Sequence, residues 1–176
     1  VIIAQGAHER PLVFAGNDLP GIMLAGAVRT YINRYGVCPG QRAILVCNND
    51  DAYRTALDLH RAGARVVIVD LRAQPKGPLI QTARDVGIDI LNGHAVIAAY
   101  GTDRVARVEI APINHNATAI IGEVIHRDCD LIAMSGGLSP AVHLHSQARG
   151  KLQWDEGKLC FCPSASHEPS FNIGAC

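Results

Sequence analysis

Two uninterrupted apolar runs, with one amphipathic stretch between them, constrain this chain most. Residues 43–47 read Ala-Ile-Leu-Val-Cys, and residues 65–69 read Arg-Val-Val-Ile-Val. A strand with one wet face alternates apolar and polar side chains, whereas a run without alternation is covered on both faces. Between the runs, Ala52, Ala56 and Leu59 recur at helical spacing, with Asp50 or Asp51 as the expected cap and Gly63 as the stop. Two buried strands joined by a helix form a parallel βαβ unit.

The same pattern extends in both directions. Val1 to Ala4 is an apolar strand, residues 5–7 are a turn, and residues 8–20 form a loop. Pro20-Gly21 is expected to open a helix running to about Tyr35, where Gly36 ends it. Leu79 to Val86 form a short helix and Ile88 to Leu91 a third strand. The pattern then changes. His94 to Tyr100, Arg104 to Ala111 and Ala117 to Ile125 are β runs with little chain between them. Gly101-Thr102-Asp103 is a tight turn, so these runs read as an antiparallel meander. Asp130 to Ser135 is a further strand, followed by Gly136-Gly137, and residues 138–170 carry less pattern. The expected fold class is α/β: a Rossmann-like parallel sheet with helices and an antiparallel meander as its crossover.

Composition narrows the function. Lys plus Arg and Asp plus Glu each number 16, which leaves no net charge and no basic field for a nucleic-acid backbone. Aromatics are 5% of 176 residues, too few for base-stacking platforms. No apolar run approaches the roughly 18 residues of a membrane span. The six cysteines are Cys38, Cys47, Cys129, Cys160, Cys162 and Cys176. Several adjoin apolar segments, so the expectation is reduced thiols in a cytoplasmic protein. Both ends read as apolar strands without a polar lead-in, which suggests a piece of a longer polypeptide.

The turn after the first central strand is where a dinucleotide would bind. The usual fingerprint is G-x-G-x-x-G or A, with an acid roughly 20 residues later. Its three positions here are Cys47, Asn49 and Ala52, and the acid is Asp70. Ala52 is permitted, and Asn49 tolerates a left-handed backbone. The Asn49 side chain nevertheless occupies the space a pyrophosphate needs, and Cys47 fails as the first glycine. Asp50 and Asp51 suit the helix dipole and repel a phosphate. The site keeps its ribose end, at Asp70, and loses its phosphate end. Ser135-Gly136-Gly137 is a second place where backbone could approach a ligand. His143-Leu-His145 and Cys160-Phe-Cys162 lack the spacing of a zinc ribbon, and no C-x-x-C redox motif, G-x-S-x-G elbow or P-loop is present.

Several segments resemble one family. Residues 4–11 (Ala-Gln-Gly-Ala-His-Glu-Arg-Pro), 17–23 (Asn-Asp-Leu-Pro-Gly-Ile-Met), 27–31, 48–56 and 135–147 are similar to the α subunit of heterotetrameric sarcosine oxidase. The Asn-Asn-Asp turn in place of the glycine fingerprint is specific to this likeness. The resemblance implies a fold like that of flavin disulfide reductases, with one dinucleotide domain split in sequence and a second inserted within it. Residues 1–37 would end the first half of the split domain, 38–137 would be the inserted Rossmann-like domain with its meander, and 138–176 would return to the split domain. The two ends of the chain would then be neighbours in one sheet. Gln5 departs from the Ala-Thr-Gly usual at the end of the first half.

The implied activity is oxidative demethylation of sarcosine in a complex with β and smaller γ and δ subunits. The implied cofactors are NAD, and FAD or FMN in the full complex. The catalytic flavin and amine site would belong to the β subunit, so no catalytic residue is assigned here. The candidate cofactor-binding residues are Gly6, Ala7, His8, Asn48, Asn49, Asp70, Ser135, Gly136 and Gly137. Two readings stay open: a dinucleotide-binding domain of an oxidoreductase subunit, or a Rossmann-shaped scaffold that has lost its cofactor.

Overall fold

The computed structural model describes residues 1–175, and Cys176 lies outside the described residues. The chain divides into two compact units, one of residues 1–10 with those from 137 onward and one of residues 11–136. Strands β1 (Ile2–Ile3) and β2 (Ala7–Glu9) open the smaller unit.

The larger unit begins its regular structure with β3 (Ile22–Leu24), α1 (Ala25–Tyr35) and β4 (Arg42–Cys47). Next come α2 (Ala52–Arg61), β5 (Arg65–Asp70), α3 (Pro78–Asp85) and β6 (Asp89–Asn92). A meander follows, β7 (His94–Tyr100), β8 (Arg107–Pro112) and β9 (Ile125–Asp128), and β10 (Leu131–Ser135) closes the unit. The parallel sheet runs in the order β3-β10-β4-β5-β6. The meander is a separate antiparallel sheet, β7-β8-β9.

The continuous apolar runs fill two cores at once. Successive residues of a strand point to opposite faces. On one face Ala43, Leu45 and Cys47 of β4 pack with Val28, Tyr53, Ala56, Leu59 and Ile80 from the helices. On the other, Ile44 and Val46 pack with Val96, Val108 and Ile110 of the meander and with Phe14. The layers are therefore helices, parallel sheet and meander, and the expected α/β class is observed.

Several local expectations are corrected. The first helix starts at Ala25, not Pro20, because Ile22, Met23 and Leu24 pair with Ile132, Ala133 and Met134 of β10. Residues 11–37 accordingly lie in the larger unit, which starts earlier in the chain than residue 38. The third meander strand is Ile125–Asp128 instead of Ala117 to Ile125. Asn114 Oδ1 accepts the N–H groups of Thr118 (2.8 Å) and Ala119 (3.3 Å), which winds residues 114–119 into a loop. The second meander strand also begins later, at Arg107.

The smaller unit resumes with β11 (Leu138–Pro140), α4 (His143–Gln147), β12 (Leu152–Asp155), β13 (Cys160–Pro163) and β14 (Phe171–Asn172). β1 pairs parallel with β14, β2 antiparallel with β11, and β12 with β13 as a hairpin. The two end strands are thus neighbours. His145 is buried at the centre of this unit. Its Nε2 donates to Lys151 O (2.9 Å), which leaves Nδ1 to accept from Asn172 Nδ2 (3.0 Å). A single neutral tautomer satisfies both bonds.

Leu45 is fully buried in the helix-side core. Leu45→Ala is expected to destabilise the larger unit by about 2–5 kcal/mol, read as a lower urea midpoint with an unchanged slope.

Candidate functional site

In an open α/β sheet, ligands bind beyond the carboxyl ends of the strands, where the connections diverge to opposite sides. That point lies between β4 and β10. From β4 the chain proceeds through α2 to β5 on one side, and β10 returns on the other. Cys47 and Ser135 are register partners at this edge.

Two asparagines span the gap. The backbone N–H of Asn48 donates to Ser135 O (3.3 Å), and Asn48 Nδ2 donates to Gly136 O (3.3 Å). Asn49 Nδ2 donates to Ser135 O (3.2 Å) and Ser135 Oγ (3.0 Å). Ser135 itself is buried. The side-chain amides therefore bridge the ends of β4 and β10.

The start of α2 is also closed. Anion sites at helix N-termini depend on backbone N–H groups that lack intrahelical partners. Here the Ala52 N–H donates to Asn49 Oδ1 (3.2 Å), Tyr53 N–H to Asp50 O (3.1 Å) and Arg54 N–H to Asp51 O (3.0 Å). Asp51 is the N-cap residue, one of the two expected, while the side chain that accepts a first-turn N–H is that of Asn49. Asp51 makes no side-chain cap bond and instead accepts from Arg54 Nε (2.9 Å). Asp50 accepts from Arg72 Nη1 (2.6 Å).

Asp70 is completely buried at the end of β5. Oδ1 accepts the backbone N–H (2.9 Å) and Nε (3.0 Å) of Arg72. Oδ2 accepts from Tyr53 Oη (2.8 Å) and Arg72 Nη2 (2.8 Å). A carboxylate offers about four acceptor positions, and four donors of the protein fill them. Burial, followed by the hydrogen bond to Asp70, raises the Tyr53 pKa well above the ordinary phenol range, so Tyr53 remains a donor. Tyr53 and Arg72 were not picked out by motif. The available signal was an arginine two residues beyond the strand-end acid.

The nine candidate residues fall into the two units. Asn48, Asn49, Ser135 and Gly136 form one hydrogen-bonded cluster in the larger unit. Asp70 stands apart from it, linked to the same turn through Arg72 and Asp50. Beyond the ends of β5 and β6 lies a cavity of about 550 Å³, lined by Leu71, Arg72, Ala73, Gln74, Gly93, Asn114 and His115. Its arginine is the one already held by Asp50 and Asp70. Gly6, Ala7, His8 and Gly137 belong to the smaller unit. Ala7 and His8 sit in the β2–β11 ladder, opposite Pro140 and Ser139. The His8 ring meets His143 edge-on, with centroids 6.1 Å apart. Gly137 has a φ of +93°, and its carbonyl accepts the Arg10 N–H (2.8 Å).

Cys47 completes the floor of the turn. Burial chiefly, and the Asp70 charge next, push its pKa up to about 12. Burial does the same for Cys129, also to about 12. Above the ordinary thiol value near 9, the unfolded chain loses these protons while the folded chain keeps them. Stability is therefore expected to fall as the pH rises from about 9 toward 12, by about 1.4 kcal/mol per pH unit for each such thiol. Urea midpoints compared between pH 8 and 10.5 should fall less steeply in Cys47→Ala than in the parent chain.

No protein-family model matches the chain. Among curated proteins it is 39% identical over 168 residues to the sarcosine oxidase α subunit of Corynebacterium sp. (strain P-1), covering 94% of this chain. It is 36% identical over 166 residues to the sarcosine oxidase α subunit of Rhizobium meliloti (strain 1021), again covering 94% of this chain. The chain spans only 17% and 16% of the length of these two relatives. Among solved structures, T. acidophilum thioredoxin reductase aligns with a TM-score of 0.72 at 15% identity, over 99% of this chain and 56% of that one. Lactococcus lactis thioredoxin reductase aligns with a TM-score of 0.68 at 22% identity, over 99% and 56%. The fold is that of the flavin disulfide reductase class, and the likeness to sarcosine oxidase α subunits read from the sequence extends along nearly the whole chain. No helix among the described residues is long and apolar enough to cross a membrane.

Proposed function

We propose that this chain is the Rossmann-type region of a sarcosine oxidase-like α subunit, and that its larger unit acts there as a scaffold with no cofactor of its own. The parent complex oxidatively demethylates sarcosine. Its other members are β, γ and δ subunits and further parts of the α polypeptide, in a cytoplasmic setting. The chain alone carries no catalytic residue and is inactive by itself. The identity to sarcosine oxidase α subunits supports the parent activity.

The observation that carries the scaffold reading is the asparagine bridge from Asn48 and Asn49 to Ser135 and Gly136. A dinucleotide of the kind the fold implies does not fit the residues present. The pyrophosphate position is filled by side chains, the first N–H groups of α2 are taken, and Asp70 has no acceptor position left for a ribose. NAD, and FAD or FMN, are then held elsewhere in the complex. Within this chain, Gly6, Ala7, His8 and Gly137 of the smaller unit are the residues assigned to cofactor contact. Support for that assignment comes from the positive φ of Gly6 (+73°) and Gly137 (+93°), a conformation that lets backbone come close to a ligand.

Titration of the chain with NAD, NADP and FAD, followed by thermal unfolding, tests the scaffold. The expected result is no shift that depends on the larger unit. Stabilisation by about 2.7 kcal/mol at 100 times the dissociation constant, abolished by Asn48→Asp, would overturn the reading.

A further inference from the structure

The hairpin of β12 and β13 carries a pair of thiols that nothing above uses. Cys160 and Cys162 are two residues apart on one strand, so their side chains share a face. Their Sγ atoms are 3.9 Å apart. Cys160 is buried and Cys162 half-buried. Lys158 Nζ lies 4.0 Å from Cys162 Sγ and 3.1 Å from Asp155 Oδ2, and Asp155 is the register partner of Cys160. The opposite face of the hairpin carries Trp154 and Phe161, also register partners, with ring centroids 5.2 Å apart. Trp154 is the single tryptophan of the chain.

We propose that Cys160 and Cys162 are a reversible dithiol–disulfide site that exchanges with low-molecular-weight disulfides. The two sulfurs are in contact without further folding, and one is reachable while the other is sheltered. That division suits an attacking and a resolving thiol. The Cys162 thiolate attacks one sulfur of the external disulfide, forms a mixed disulfide and expels the first thiolate. The Cys160 thiolate then attacks the Cys162 sulfur, closes the protein disulfide and expels the second thiolate. Two protein thiols are oxidised, one external disulfide is reduced to two thiols, and the two protons pass to the departing sulfurs. Lys158 places a positive charge beside the sulfur that makes the first attack.

The strand explains why such a bond is reversible. Two residues of an antiparallel strand span about 6.8 Å, the upper end of the Cα separation that a disulfide bridges. Closing the bond draws β13 inward, and reducing it releases the strand. Disulfides that form in reducing compartments are generally of this redox-sensing kind. Among the described residues, no group of three or more His, Cys, Asp and Glu side chains is placed to hold a metal ion, so the pair reads as a redox site and not as part of a metal site.

The test uses the full chain in glutathione buffers from reducing to oxidising. Free thiols are trapped by alkylation and the peptide spanning residues 160–162 is weighed. An internal bridge, two hydrogens lighter and unalkylated, is expected under oxidising conditions, and dithiothreitol should restore two alkylation sites. Cys160→Ser should instead retain one glutathionyl group on Cys162. Trp154 fluorescence should change on oxidation in the parent chain and not in the Cys160→Ser/Cys162→Ser double variant. Both thiols remaining alkylatable in oxidised glutathione overturns the proposal. So does a bridge from either cysteine to another cysteine of the chain, or protection of the pair by added zinc with no bridge formed.

Discussion

A strand with water on neither face must have every backbone polar group satisfied by its neighbours. β4 is in that position, and the architecture follows from it. Parallel partners on both sides supply its hydrogen bonds, and Asp130 Oδ1 accepts the N–H groups of Gln41 (2.8 Å) and Arg42 (2.9 Å) where the strand begins. Parallel partners require crossovers, and the crossovers must cover both faces. The helices supply one cover and the meander the other. Whatever occupies the carboxyl edge of β4 thus sits at the one place where three layers and two chain directions meet.

At that edge the protein spends its polar groups on itself. Asn48 and Asn49 link β4 to β10, Asn49 caps α2, and Arg72 joins Asp50 to Asp70. Each bond uses a donor or acceptor at the edge where a Rossmann fold meets its ligand. A buried ion pair on its own is weak evidence of stabilisation, because desolvation offsets much of the attraction. The Asp70 group differs in that Tyr53 and the Arg72 backbone complete the carboxylate's partners. Removing any one of them would leave a buried acceptor unpaired, so the network is held together by the cost of breaking it.

Much of this was legible in the residues. The unbroken runs at 43–47 and 65–69 announced the parallel sheet, and Asn48, Asn49 and Ser135, singled out as candidates, lie together at its edge. What was not legible came from pairing and rotamers. Ile22 to Leu24 suit a helix or a strand equally, and only β10 alongside decides for the strand. The loop at 114–119 depends on one asparagine side chain that two backbone donors choose. The C-x-C of Cys160 and Cys162 fits no familiar redox spacing, yet a strand puts residues i and i+2 on one face, and the hairpin brings Lys158 to them.

Asp70 is the clearest case of a residue whose position and role separate. By position it is the acid of a dinucleotide fold, at the end of the second strand. Its surroundings have turned it inward. A ribose acceptor needs an open lone pair facing a crevice, and this carboxylate has none, because Arg72 reaches around it with Nε, Nη2 and the backbone N–H. The same arginine extends Nη1 to Asp50, the charge that would repel a pyrophosphate. One side chain therefore holds both acids in place. The charges that remain are balanced from within the fold and ask for no anion from outside. On the scaffold reading proposed above, such a sheet would keep its mechanical value, as a parallel core held by its own hydrogen bonds.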